Sequence, residues 1–176
     1  MVWKGNRRWL VLGMLVATAC LQVSFTPARQ INWLPFAEAF RLAEVNNKPI
    51  LVDVYTRWCG WCKVMDQKTY SDQEVVFLVN DNFFAVRFDA EGSDTIRYQG
   101  RTFTRPAGKR THSLAYALLD GKLSYPTTVI LSPKGEILSP VAGYLEPELM
   151  KQVLTYFGKG AYKRQSWEAF QKEWKN

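Results

Sequence analysis

Cysteine and histidine are scarce in this 176-residue chain, which has three cysteines (Cys20, Cys59 and Cys62) and one histidine, His112. A structural zinc site takes four ligands, usually two cysteine pairs. With Cys20 inside an apolar N-terminal stretch and His112 alone, such a cage is hard to assemble, and no metal is expected. Charge of one sign is also in short supply. The net charge is +7, but Lys4, Arg7 and Arg8 belong to the extreme N-terminus. The +4 left without them is too mild to argue for nucleic acid. Internal repeats and low-complexity segments are absent. The most apolar run, Trp9 to Phe25, spans 17 residues and holds Thr18, Gln22 and Ser24, marginal for crossing about 30 Å of hydrocarbon.

A basic stub, an apolar stretch and small residues make a secretory signal. Cleavage could follow Ala17-Thr18-Ala19 or Thr26-Pro27-Ala28. Lipid could be attached at Cys20, where Val16-Ala17-Thr18-Ala19-Cys20 loosely matches a bacterial lipobox but has Ala17 where a larger aliphatic residue is usual. The segment could also stay as an uncleaved anchor. Residues 1–28 are therefore read as signal peptide or anchor and 29–176 as one domain. The domain is expected outside the cytoplasm, periplasmic or membrane-anchored and facing the periplasm.

What the chain does have is Trp58-Cys59-Gly60-Trp61-Cys62-Lys63. An apolar run, Ile50 to Tyr55, precedes it as a buried strand, and a periodic segment to Thr69 follows as a helix. A C-x-x-C between strand and helix is a redox arrangement. If the helix starts at or just after Cys59, free N–H groups and the positive end of the dipole favour a thiolate there. The dipole contributes about 0.3–2 kcal/mol, roughly one pKa unit, so neighbours such as Lys63 must add to it. A disulfide closing so small a loop would contribute little chain-entropy stabilisation, which favours a reactive pair over a structural one.

Along the rest of the chain, Pro35 opens a helix from Phe36 to about Asn46. Ser71-Asp72-Gln73-Glu74 reads as a capping box with Ser71 at the cap, starting a helix to about Val79. Phe83–Phe88 is a second buried strand. Glu91 to Thr111 carries five cationic residues and little periodicity. It reads as an insertion loop, either merely solvated or a substrate-docking arm built on Tyr98, Phe103 and the arginines. His112 to Leu119 is a helix with His112 as a polar residue at its start. Thr127–Leu131 and Ile137-Leu138 form a hairpin around Ser132-Pro133-Lys134-Gly135. Pro147 opens a helix to about Phe157 with Gly158 as its stop, and Ser166 caps a last helix ending at Trp174. Alternating strands and helices with a closing hairpin give an α/β fold with a mixed central sheet flanked by helices.

These residues resemble the thioredoxin superfamily. Val52-Asp53-Val54-Tyr55 with Trp58 to Lys63 looks like that fold's strand and active site, and Ser124-Tyr125-Pro126-Thr127-Thr128 like its cis-proline segment. With Gly143-Tyr144-Leu145, the wording is similar to exported bacterial thioredoxin-like proteins, including periplasmic thiol-reductase domains. The resemblance covers about Asn32 to Phe157. It implies that Cys59 is the exposed attacking thiol and Cys62 the buried resolving one. Pro126 faces the disulfide in cis, and Asp53 is the buried acid that helps deprotonate Cys62. Arg87 stands where the family often has a lysine near that acid, and Gly60-Trp61 where Gly-Pro is commonest. Trp58, Trp61 and Tyr125 would line the docking surface, although the two tryptophans could be packing aromatics and Asp53 a salt-bridged structural acid.

The implied function is a monomeric thiol–disulfide oxidoreductase with no cofactor beyond a redox-active Cys59–Cys62 disulfide. It would reduce disulfides of exported proteins and be recycled by an electron-donor protein. The N-terminal segment or Cys20 would be a possible membrane tether. Two alternatives stay open: a disulfide-donating oxidase, and a non-catalytic peptide-binding or chaperone module that keeps the groove.

Overall fold

The computed structural model of the protein describes Met1 and residues 29–174; the signal or anchor reading of 1–28, Cys20 included, lies outside the described residues. The elements in chain order are α1 (Phe36–Asn46), β1 (Ile50–Tyr55), α2 (Gly60–Lys68), α3 (Gln73–Asn82), β2 (Phe84–Asp89), β3 (Ile96–Tyr98), β4 (Arg101–Phe103), α4 (Ser113–Leu118), β5 (Thr127–Leu131), β6 (Ile137–Ala142), α5 (Pro147–Gly158) and α6 (Trp167–Trp174). Four strands form one sheet in the order β2-β1-β5-β6. β2 runs parallel to β1, and β5 and β6 are antiparallel to their neighbours, so the sheet is mixed, as the strand pattern requires.

β1 is buried on both faces because helices cover both. Side chains alternate across a strand. Ile50, Val52 and Val54 therefore enter the core shared with α1 and α4. Leu51 enters the opposite core, with Met65, Val75, Val76, Val79, Met150 and Leu154 from α2, α3 and α5. By the same alternation Asp53 shares the face of Leu51 and is turned toward the α2 side, an acid in an apolar layer.

Four local readings differ from the structure. The cap of α3 is Asp72, whose carboxylate accepts from Glu74 N and Val75 N at 3.0 Å each. Ser71 is the residue before the cap and donates back to Gln67 O at 2.6 Å instead. α3 also runs on to Asn82 rather than stopping at Val79, buried by Val79 and Asn82. Gly158 is the last residue of α5. The left-handed residue that follows the helix is Gly160, at φ 73°.

The fourth difference is the segment 91–111, which still stands between β2 and α4 but is not a plain loop. It folds a small hairpin, β3–β4, and buries Tyr98 and Phe103 in the α1 core. Tyr98 OH donates to Gly135 O at 2.6 Å, and its ring packs on Phe40. Those two aromatics are therefore removed from any docking arm. Burying two aromatic rings outweighs exposing them beside the arginines, which stay at the surface.

Candidate active site

The turn that launches α2 is closed by Cys59 N–H donating to Thr56 O at 3.2 Å. Cys59 is then the N-cap: its backbone is extended, and its Sγ accepts from Cys62 N at 3.1 Å. This is the place where free helix N–H groups converge. Cys59 and Cys62 form a disulfide with a Cα–Cα separation of 5.3 Å. In the disulfide the two residues are 5% and 4% exposed. Cys59 is the N-cap of α2 and Cys62 lies within its first turn.

The two tryptophans are 60% and 61% exposed. Trp58 meets Tyr125 edge to face at 6.1 Å between centroids, and Trp61 stacks on Tyr144 at 5.5 Å. Trp61, Tyr125, Pro126, Gly143 and Tyr144 line one shallow apolar groove. The Tyr125–Pro126 bond is cis. Gly143 N–H donates to Pro126 O at 2.8 Å, tying the end of β6 to this loop. Lys63, on the first turn of α2, is exposed.

Beneath α2 the character changes. Asp53 sits beside Arg87 in the β1–β2 ladder and opposite Thr128 in the β1–β5 ladder. Arg87 Nε lies 3.4 Å from Asp53 Oδ2, an ion-pair distance without hydrogen-bond alignment, and Nη2 donates to Asp66 Oδ2 at 2.9 Å. The guanidinium lies over the ring of Tyr55 and near that of Trp33. Burial pushes the Asp53 carboxyl up to about 7, against the downward pull of Arg87. Burial by itself would lower Arg87, but the Asp53 and Asp66 charges outweigh it and hold it above its ordinary value.

The structure thus brings together Asp53 and Arg87, and separately Trp61, Tyr125 and Pro126, with the two cysteines at the start of the helix above. Sequence reading missed Asp66 and Tyr70. The available signal was helical spacing: Asp66 is four residues after Cys62, on the same face of α2. His112 is wholly occupied with structure, its Nδ1 accepting from Leu114 N at 3.1 Å and its Nε2 bonded to Asp94 O at 2.8 Å. Among the described residues no group of three or more His, Cys, Asp or Glu is arranged to hold a metal, and no helix is long and apolar enough to cross a membrane.

This fold with a C-x-x-C disulfide at the start of α2 defines a thioredoxin-fold protein of the redox-active type. A family model described as Thioredox_DsbH, protein of unknown function DUF255, matches residues 19–173, and the chain belongs to that family. It is 31% identical over 121 residues to an uncharacterized protein of Caenorhabditis elegans, covering 67% of this chain and 14% of that protein. It is 33% identical over 69 residues to the thiol:disulfide interchange protein DsbD of Citrobacter koseri, covering 39% of this chain and 11% of that one. The chain thus spans only a small part of the curated relatives it matches. Among solved structures it superposes on a candidate disulphide-isomerase from Bacteroides thetaiotaomicron with a TM-score of 0.52 and 28% identity, over 73% of this chain and 94% of that one. A protein described as DsbH oxidoreductase gives 0.55 at 19% identity, over 82% and 94%, which shows the shared fold.

Proposed function

We propose that this protein is a thiol–disulfide oxidoreductase that reduces disulfides of exported proteins. The observation that carries the reading is Cys59 at the N-cap of α2, bonded to Cys62 and flanked by the Trp61–Tyr125–Pro126 groove. In the reduced protein the Cys59 thiolate attacks a substrate disulfide and one substrate sulfur leaves. Cys62 gives its proton to Asp53 and attacks Cys59 Sγ. The Cys59–substrate bond breaks, the second substrate thiol is released, and the pair is left as the disulfide. The substrate gains two electrons and the cysteine pair loses two, so a donor protein with a dithiol must return them. Lys63 adds positive charge near the attacking sulfur, and Trp58 and Trp61 hold the substrate chain. The domain acts on the periplasmic side, released by cleavage within 1–28, tethered through that segment, or lipidated at Cys20.

The name of the Citrobacter koseri relative, an interchange protein, supports exchange chemistry. Direction is tested by equilibrating the Cys59–Cys62 couple with a glutathione buffer. A reductase should poise nearer about −270 mV than about −120 mV. A value at the oxidising end would make the protein a disulfide donor. The exposed aromatics of the groove favour one further reading, a peptide-holding module. Peptide binding undiminished after both cysteines are replaced would point to it.

A further inference from the structure

Arg87 is shared unequally between two carboxylates. Its aligned bond, at 2.9 Å, goes to Asp66, and its contact with Asp53 is longer and misaligned. Asp66 stands one helical turn after Cys62, and its side chain is 36% exposed. It opens onto a cleft of about 390 Å³ lined also by Ile31, Trp33, Tyr70 and Arg87. Asp66 faces that cleft, whereas Asp53 is buried. The cleft shares no residue with the aromatic groove, so a docked substrate leaves it open.

Around Asp53, three buried polar atoms from different elements, Arg87 Nε, Tyr70 OH and Thr128 Oγ1, make no well-aligned hydrogen bond, although Tyr70 and Arg87 come close enough to pull the carboxyl down. Two of the three are hydroxyls, which rotate to donate to a carboxylate or accept from a carboxylic acid. These surroundings suit a group that changes its protonation state, whereas a permanent salt bridge would use an aligned Arg87.

We propose that Asp66, acting through Arg87, is a positioning residue that keeps Asp53 able to take the Cys62 proton. The assignment rests on the exchange reading above. By drawing the guanidinium toward the cleft, Asp66 denies Asp53 a full ion pair. The proton leaves Cys62 Sγ for Asp53 as the new S–S bond forms, and Asp53 later returns it to solvent. The groups that face Asp53 are Arg87 from β2, Asp66 from α2, Tyr70 from the turn after α2, Tyr55 from β1 and the Thr128 hydroxyl from β5. Of these, Arg87 pulls the carboxyl down and Asp66 pushes it up, both after the larger effect of burial.

The test is carbon-13 NMR titration of the Asp53 carboxyl in the oxidised full chain, where Cys62 does not titrate. Asp66→Asn should lower the Asp53 midpoint by on the order of one unit, Asp66→Glu should restore it, and Arg87→Gln should raise it. The pH profile of substrate release, followed with glutathione held on Cys59 as a mixed disulfide, should move with the midpoint. An Asp53 midpoint unchanged in Asp66→Asn overturns the inference. A moved midpoint in a protein that forms no mixed disulfide at all leaves the electrostatics standing and overturns the exchange reading instead.

Discussion

The two sides of the α2 start are built from opposite materials. In front lies an aromatic groove of Trp61, Tyr125, Pro126 and Tyr144, with Trp58 beside it, apolar and open. Behind lies a polar set: buried Asp53, Tyr70 and Thr128 with half-buried Arg87 and Asp66. Front residues offer rings and backbone rather than charge. Back residues include a carboxyl that burial pushes up to about 7. The two sides meet at one helix, with both cysteines at its start.

The comparison breaks most completely at the sulfur both sides serve. Cys59→Ser should lower disulfide reduction by at least about a thousandfold, read as insulin reduction with dithiothreitol as donor. Asp53→Asn acts on the back alone. It should slow release of the bound substrate by roughly a hundredfold, leaving the first attack nearly unchanged in rapid-mixing experiments. It should also change stability. A carboxyl held at about 7 against an ordinary 3.8 contributes stability that is fully present below the ordinary value and is lost as pH rises through 7. Denaturant melts should therefore show the native protein weakening between pH 4 and 8. The asparagine variant should stay flat over that range and be more stable at pH 8 by up to about 4 kcal/mol.

Trp61→Ala acts on the front alone. It should raise KM for a peptide disulfide about tenfold with little change in kcat. The smallest effect is expected at Lys63, whose side chain is exposed. Lys63→Gln should slow alkylation of reduced Cys59 by about twofold at low salt, and the difference should fade as salt is added.

The front was legible in the sequence because its parts are local. Cys59, Cys62 and the two tryptophans fall within five residues, and a strand ending at Tyr55 leaves the helix nowhere else to begin. Pro126 and Tyr125 followed from resemblance, since no local pattern joins residue 125 to residue 59. The back was half legible. Asp53 stood out as an acid in an apolar strand, and Arg87 followed from the resemblance, standing where the family often has a lysine near that acid. Asp66 and Tyr70 read as ordinary helix and turn residues, because their significance depends on which strand passes beneath α2. The hairpin at 96–103 was missed for a related reason. Its strands are three residues each, too short for alternation to register, and only the core beneath shows that Tyr98 and Phe103 are anchors.

The exchange reading stands or falls on a covalent intermediate. Cys62→Ser leaves Cys59 free to attack but removes the second thiol, so mixed disulfides should accumulate. On a non-reducing gel after acid quenching, this variant, expressed as the full chain in a bacterial periplasm, should show ladders that collapse on adding reductant. Cys59→Ser should show none. Identical clean bands from both variants would contradict thiol exchange at Cys59 and leave the aromatic groove as a site for holding peptides.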